Sequence, residues 1–470
     1  MRPYGILCIL LALTFVCTIP ASADNLYASI RGTVADPTGA VVAGVKLTAT
    51  NTATGITYTT TTNKDGVFTF LQLQIGNYTV RAEQTGFKAY QASGIHLELN
   101  QVFNLEVKLA MGTVSEQVVV EANPVQVEQT DMQLGTTITG NQISDIPLNG
   151  RNWTQLQQLQ PGIVGTSDRF GGNNGGFSGN GSGTQQNSFL INGVDSNDAA
   201  LNTVLIVPSP DAIGEFRLVT STLNPEYGRN SGTIINAAIK SGTNQFHGNA
   251  FEFYRDTFLD ATAWFKKGPS PFHQHQFGGT LGGPIYKDHA FFFFSYQGLR
   301  ATNPQTSSTP TVFSAAQRGG DFSANDAGAF STNQIPVAMF GDASSTCPVS
   351  GGVQCDPTNP ASTYANLFST GVIPTEDLNP LALKLMNQFV PLPNAAGNAF
   401  QFNPITTQTS SQYVYRIDDK LTNNDSLWFY GLYQTNPSQD TLPFTGATLP
   451  GFSEEAKRHQ QQYSVSWTHT

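Results

Sequence analysis

Apolar and polar residues alternate along the segment that follows the first two dozen positions. Val45, Leu47 and Ala49 alternate with polar residues, and the same alternation recurs along 103–109. A period of two is typical of strands with one buried face. Turn-forming runs such as DPTG, NKDG and IGN separate the apolar runs. About seven short strands are expected within 24–111, which predicts an immunoglobulin-like β-sandwich.

A second alternating pattern occupies 245–470. Tyr413, Tyr415 and Ile417 share one face of a predicted strand, and mostly polar residues occupy the other face. Long and short loops alternate between the predicted strands, as in outer-membrane β-barrels with short periplasmic turns and long external loops. The predicted strands are 246–256, 273–283, 289–299, 411–421, 426–436 and 460–470.

Two features of this segment depart from a simple barrel pattern. Strand 289–299 is apolar on both faces and contains four consecutive phenylalanines, 291–294. Aromatic residues can form a lipid-facing band, but ordinary β-core packing is the alternative interpretation. The predicted strands are also too few to close a barrel, since the smallest bacterial barrels have about eight. We therefore expect an incomplete antiparallel barrel and a chain that is the front part of a longer protein.

The first 23 residues predict a signal peptide. Arg2 provides a positive start, 6–19 is an almost unbroken apolar run, and 21–23 supplies the small residues that signal peptidase requires. We place cleavage before Asp24. The alternative is a membrane anchor, but the run is shorter than the ~20 residues that span a bilayer.

Composition and charge narrow the possible functions. Charged residues make up only 12% of the chain and the net charge is −10, which argues against nucleic acid as a partner. Cys347 and Cys355 bracket a Gly-rich loop, and export to an oxidising compartment favours a local disulfide between them. Asp195, Asp198 and Asp211 do not follow the spacing of a calcium loop and are interpreted as polar loop residues.

The sequence predicts neither a metal site nor a cofactor. His273 and His275 share a strand face, but two histidines without a third ligand more often lie at the surface. We find no H-E-x-x-H motif and no nucleophile–base pair, so an enzyme is not expected.

Residues 24–111 resemble a known accessory domain. The runs IRGTVADPTGAVVAGVKLTATNTATG and TTNKDGVFTFLQLQIGNYTVRAEQTGFKAY look like the carboxypeptidase regulatory-like domain, which belongs to the carbohydrate-binding-like sandwiches. The resemblance implies an accessory module without peptidase activity. A spacer without a ligand is favoured over a sugar-binding module.

The next segment, 124–244, contains three features in order: an amphipathic stretch at 142–159 broken by Pro147, a strand leading into 192–195, and a Tyr-Gly pair before a strand at 233–240. Together they resemble the plug domain of TonB-dependent receptors, in the Oar-like branch that carries the regulatory-like sandwich in front. The resemblance implies a small α+β plug. The glycine-rich run 170–183 is interpreted as a mobile loop or linker because it has little apolar surface to bury.

The linker 112–123 contains the β-prone run TVSEQVVVEA, which resembles a TonB box. Such a box is the segment that the energy-coupling protein TonB engages, and main-chain pairing with a partner's sheet edge gives the affinity. The alternative is that the run simply continues the last strand of the sandwich. The TonB-contact candidates are Ser115, Glu116, Gln117, Val118, Val119 and Val120.

Together these patterns predict a mainly β protein of the bacterial outer membrane, with a partial barrel at 245–470. The resemblance implies TonB-energised uptake, the TonB complex as a periplasmic partner, and an extracellular ligand that the sequence does not identify. Siderophore, vitamin, oligosaccharide and peptide all remain open as ligands. The rival hypotheses are a carbohydrate-binding or adhesive surface protein without transport and a secreted peptidase.

Overall fold

The structure is a computed structural model. It describes residues 26–113, 117–121, 134–165, 176–221, 227, 230–261, 272–304, 310–323, 372–402, 404–442, 449, 451 and 453–469. Several sequence predictions therefore lie outside the described residues. They are the signal peptide at 1–23, the TonB-contact candidates Ser115 and Glu116, residues 170–175 of the glycine-rich run, and the cysteines Cys347 and Cys355.

The N-terminal unit consists of two sheets on a common core. Its strands are β1 Ala28–Ala35, β2 Lys46–Asn51, β3 Thr57–Thr61, β4 Val67–Leu73, β5 Gly76–Glu83, β6 Ala89–Leu97, β7 Val102–Lys108 and β8 Gln117–Glu121. One sheet has the order β4-β1-β7, and the other has the order β3-β2-β5-β6-β8. β1 pairs antiparallel with β4 and parallel with β7.

Alternation in the sequence corresponds to burial in this unit. Val45, Leu47 and Ala49 are fully buried in one cluster with residues of both sheets, as their period of two predicts. Gly32 allows β1 and β7 to approach closely, because a Cβ there would lie 1.8 Å from the Leu105 carbonyl oxygen.

The central unit, residues 134–239, is built on a five-stranded mixed sheet. Its strands are β9 Leu134–Thr139, β10 Ile163–Gly165, β11 Phe177–Gly179, β12 Ser188–Ile191, β13 Val194–Asp195, β14 Ile213–Ser221 and β15 Ile234–Ile239. Its helices are α1 Gly140–Asp145 and the 3-10 segments Asn149–Arg151, Trp153–Leu159, Thr184–Gln186 and Pro210–Ala212. The sheet order is β13-β12-β15-β14-β9, and β10 pairs with β11 separately.

Local sequence explains two features of the central unit. α1 begins at a capping box between Thr139 and Gln142, and it ends before Pro147, which disfavours helical backbone in the residue before it. Every residue of β15 is buried because apolar clusters cover both faces of the sheet. A nearly continuous apolar run such as IINAAI is typical of a strand buried on both sides.

The C-terminal sheet contains six long antiparallel strands in chain order. They are β16 His247–Asp256, β17 His273–Tyr286, β18 Ala290–Pro304, β19 Ile405–Asp419, β20 Asp425–Thr435 and β23 His459–His469, with β21 Ser438–Asp440 and β22 Glu454–Ala456 in the last long connection. Each predicted strand overlaps an observed one. β18 extends past its predicted end and β19 begins earlier, so their pairing runs from Pro304↔Ile405 to Ala290↔Asp419.

The connections between these strands alternate as predicted. Residues 287–289 and 420–424 form short links, while 257–272, 305–404 and 436–458 form long ones. Within the described part of the chain the sheet is open, with β16 and β23 at its two edges.

The remaining helices are short and lie in the long connections. They are α2 Ala315–Arg318, α3 Pro380–Phe389 and the 3-10 segments Thr257–Leu259 and Thr375–Asp377. Asn379 caps α3 by accepting hydrogen bonds from two main-chain N–H groups, and Pro380 occupies its first turn. In the part of the chain that the structure describes, helices are too short or too polar to cross a membrane.

Candidate functional site

The C-terminal sheet has an inverted distribution of polarity. We call the face that contacts the central unit the inner face and the opposite one the outer face. On β19 the inner face carries Val414, Arg416 and Asp418, all buried, while Tyr413 and Ile417 on the outer face are exposed. The sequence predicted the two faces, and the structure adds that the polar face is the covered one.

Apolar side chains are also exposed on the outer face of the last strand of the sheet. On the edge strand β23, Tyr463, Val465 and Trp467 are 52%, 66% and 67% exposed. Rows of exposed large apolar side chains are unusual for a protein surrounded by water and mark surfaces that contact lipid or another protein.

The phenylalanine run in β18 serves both faces. Phe291 and Phe293 are buried on the inner face, and Phe293 packs in a cluster with Ile191 and Ile239 of the central unit. Phe294 is exposed on the outer face. The strand departs from apolar–polar alternation because its inner side meets an apolar part of the central unit.

A buried ion pair joins β19 to the end of β15. Two nitrogens of the Arg416 guanidinium donate to the Asp418 carboxylate at 2.7 and 2.9 Å, and a third donates to the Ile239 carbonyl at 2.6 Å. The Ser241 hydroxyl also donates to Asp418, at 2.7 Å. Because both charges are paired and hydrogen-bonded, the site fixes the position of the central sheet without leaving a charge unsatisfied.

Neutral side chains of the inner face contact main-chain groups of the central unit. Gln412 accepts from the Ser209 N–H at 2.6 Å and donates to the Val207 carbonyl at 2.8 Å. The Tyr430 hydroxyl donates to the Ile191 carbonyl at 3.1 Å. These contacts satisfy loop backbone that would otherwise be buried without partners.

A second buried ion pair links the central unit to β16. Arg151 donates to Asp211, which also accepts from the Asn249 amide at 2.7 Å. The Arg151 guanidinium lies 4.2 Å from the ring centre of Phe251 and 4.3 Å from that of Phe253. The interpretation of Asp211 as a polar loop residue is therefore wrong, because the fold places it at a buried contact between two units.

The other residues considered as metal ligands have partners within their own segments or on the neighbouring strand. Asp195 and Asp198 accept main-chain N–H groups of their own loops. His273 pairs with Asp256, and its side chain is 58% exposed. His275 pairs with Glu252, and its side chain is 50% exposed. Among the described residues, His, Cys, Asp and Glu form no group of three that is able to hold a metal ion.

One turn of the N-terminal unit makes hydrogen bonds to the central sheet. Leu99 is fully buried between β6 and β7, its N–H donates to Glu215 at 2.5 Å, and its carbonyl accepts from Arg217 at 3.2 Å. Burial raises the pKa of Glu215 to about 7, the Leu99 hydrogen bond opposes that rise, and the nearby Glu98 carboxylate adds to it. The signal for this contact in the sequence is an apolar residue, Leu99, inside the polar turn 98–101.

Of the six TonB-contact candidates, the described ones form the edge strand β8. Val118, Val119 and Val120 lie opposite Tyr90, Gln91 and Ala92 of β6, and the pairing is parallel. The strand joins the five-stranded sheet of the N-terminal unit. Their role in contacting TonB stays a prediction.

Comparisons with known proteins identify two domains in the chain. Residues 29–110 match the carboxypeptidase regulatory-like domain, and residues 238–470 match an outer membrane beta barrel domain. The TonB-dependent transporter Oar of Myxococcus xanthus is 30% identical over 285 residues, which cover 57% of this chain and 26% of that protein. The chain thus spans about a quarter of the length of this curated relative.

Two solved structures share a more distant likeness. The outer membrane transporter YddB from Escherichia coli is 11% identical, with a TM-score of 0.40 over 71% of this chain and 36% of its own. A mutant of the ferric enterobactin receptor PfeA from Pseudomonas aeruginosa is 14% identical, with a TM-score of 0.38 over 73% and 39%. At these values the likeness carries no functional argument.

The sequence relationships indicate an outer-membrane protein, and the exposed apolar side chains of the C-terminal sheet agree with this. The chain is therefore a homologue of the TonB-dependent transporter Oar, and it carries a carboxypeptidase regulatory-like domain in front of an outer membrane beta barrel domain.

Proposed function

We propose that this protein acts as a TonB-energised outer-membrane receptor that binds a ligand outside the cell and admits it to the periplasm. The observation that carries the proposal is the inverted C-terminal sheet. Its inner face buries polar side chains such as Arg416 and Asp418 against the central unit, and its outer face exposes apolar side chains such as Val465 and Trp467. A sheet of this kind is stable when lipid covers the outer face, as in transmembrane β-barrels.

In this proposal the central unit is the plug, and the N-terminal unit is an accessory β-sandwich on the periplasmic side. The plug contacts the sheet through an apolar cluster and through hydrogen bonds from Arg416, Gln412 and Tyr430 to its main chain. The hydrogen bonds exchange with water more readily than the apolar part of the contact does, because water offers the same donors and acceptors. They therefore suit an element that has to move within the barrel.

TonB would contact the segment from Ser115 to Val120 and transmit a pulling force to the plug. Main-chain hydrogen bonds give affinity when one strand adds to another. The ligand class stays open, and its specificity is expected in the long connections 257–272, 305–404 and 436–458. No covalent chemistry is part of this function.

The TonB assignment is tested by measuring binding of the TonB C-terminal domain to the detergent-solubilised chain. Val119→Pro removes a main-chain N–H from the segment, so binding should weaken by about 10-fold or more. Val119→Ile keeps the main chain and should bind like the unmodified protein. Equal binding by both variants would remove this segment from the coupling mechanism.

The outer-membrane assignment has a separate test. The expressed protein should fractionate with outer membranes and resist extraction by high salt. Recovery of folded protein in the soluble periplasmic fraction would contradict a lipid-facing outer surface.

A further inference from the structure

The candidate coupling segment is already paired within the N-terminal unit. In β8, Val118, Val119 and Val120 lie opposite consecutive residues of β6 in a parallel ladder. Main-chain groups that bond to β6 are not available to a second strand at the same time. The other edge of β8 has no strand partner among the described residues.

The pairing holds β8 with little burial of side chains. Val119 and Val120 are 62% and 40% exposed, whereas Tyr90 and Ala92 of β6 are buried. None of the described side chains of β8 belongs to the core cluster of the N-terminal unit. Edge segments with few buried apolar contacts open at low free-energy cost, so β8 can leave β6 without unfolding that core.

We propose that β8 is a sequestered form of the TonB-contact segment. TonB must displace this strand from β6 before it can pull on the chain. This inference rests on the proposed function. β6 and TonB then compete for one strand, and the affinity of the chain for TonB is reduced by the fraction of molecules in which β8 is free. Events that loosen the β6–β8 pairing, such as movement of the N-terminal unit, would favour coupling.

The test is a reversible disulfide that holds β8 in its sequestered position on β6. Gln91→Cys combined with Val119→Cys places two thiols at opposite positions of β6 and β8. TonB C-terminal domain binding to the full chain is measured by calorimetry before and after reduction. Thr48→Cys with Thr59→Cys locks β2 to β3 in the same sheet and serves as the matched control.

Oxidation of the β6–β8 pair should weaken TonB binding by about 10-fold or more, and reduction should restore it. The β2–β3 pair should bind equally in both states. A free peptide of residues 113–122 should bind TonB more tightly than the whole chain, because no β6 competes for it. Cys347 and Cys355 are present throughout, so each variant is compared with its own reduced form.

Equal binding by the oxidised and reduced β6–β8 variant would overturn the proposal, since TonB would then add to the other edge of β8. The proposed function would survive that result. Absence of binding to both the chain and the 113–122 peptide would instead remove TonB coupling itself. Binding of TonB to the peptide but not to the chain would support sequestration of β8 by β6.

Discussion

Glu215 is a buried carboxyl group at the contact between the N-terminal and central units. Its pKa is raised from 4.5 to about 7, mainly because burial disfavours the charged form. The docked state therefore holds the proton more tightly than an undocked state in which Glu215 meets water. Docking is strongest below about pH 4.5, weakens as the pH rises through 7, and changes little above that.

This pH dependence is measurable at the Leu99 amide, which donates to Glu215. Its hydrogen-exchange protection factor should fall by about one to two orders of magnitude between pH 5 and pH 8. Glu215→Gln keeps an acceptor and should remove the dependence. Glu98→Gln should keep the pH dependence. The loss of protection should then be complete at a lower pH, because the Glu98 carboxylate contributes to the raised pKa of Glu215. A flat profile in the unmodified protein would contradict this assignment.

Arg416 and Asp418 form a buried ion pair, and the loss of either partner should lower the stability of the fold. Asp418→Asn leaves the buried guanidinium without its counter-charge and should destabilise the folded state by roughly 3–5 kcal/mol. Arg416→Gln together with Asp418→Asn should cost less than the two single changes added. The measurement is a double-mutant cycle from denaturant unfolding in detergent or lipid.

The exposed pair Arg81–Glu83 is a matched control for that cycle, with an N–O distance of 2.7 Å, the same as in the buried pair. Its loss should cost less than about 1 kcal/mol because water screens it. Similar coupling energies for the two pairs would mean that burial does not govern the β19 contact.

At the scale of elements, the strands of the C-terminal sheet are defined by their two faces. β23 alternates strictly, with Tyr463, Val465 and Trp467 exposed and the intervening residues partly covered. The alternation is the same as in a soluble β-protein. What differs is which face the rest of the molecule covers.

A charge introduced on each face tests this assignment. Val465→Arg places a cation on the outer face and should reduce folding into lipid vesicles by roughly 2–4 kcal/mol if the position lies near the bilayer midplane. Ser464→Arg places the same charge on the inner side and should have a much smaller effect. Heat-modifiable mobility of the refolded protein reports the folded fraction. Equal losses would argue against lipid at the outer face.

Strand positions could be predicted from the sequence, but the ends of β18 and β19 beside the long connection 305–404 could not. β19 begins at Ile405, before its predicted start, because its extra length pairs with an equally extended β18. The residues of that extension are mostly Thr, Gln and Ser, which carry little periodic signal. Pairing with a neighbour, a long-range property, decides how far such a segment continues as a strand.

At the scale of the whole molecule, three units meet at a small number of specific contacts. Leu99 docks the N-terminal unit on the central sheet, and Gln74 of the same unit approaches Asp418 of β19 at 3.4 Å. Asn244, in the link before β16, donates to the Thr54 carbonyl at 2.7 Å. The N-terminal unit therefore contacts both the candidate plug and the candidate barrel.

Leu99→Ala should loosen this arrangement without unfolding either unit, because Leu99 belongs to the cluster between the units and not to the N-terminal core. Spin labels on the two units should show a broader distance distribution in the variant. Leu71→Ala, at an exposed position of β4, should leave the distribution unchanged. An unaltered distribution in Leu99→Ala would show that the remaining contacts suffice for docking.

The sequence by itself determined the mainly β character, the approximate strands of the C-terminal sheet and the alternation of its loops. It also identified the regulatory-like domain and the relationship to TonB-dependent receptors. The strands and loops are encoded in local patterns, since a period of two and a turn motif need no knowledge of distant residues. The two family relationships come instead from the resemblance of whole segments to known domains.

Only the tertiary structure decided which face of each strand is covered and which polar residues meet. Asp211 in a predicted loop, Leu99 in a turn and Arg416 in a strand become contacts between units through partners far away in the chain. The TonB-like run likewise became the edge strand β8 through its pairing with β6. The physical reason is that burial and hydrogen bonding depend on which segments are brought together, and a sequence pattern specifies a face without specifying what covers it.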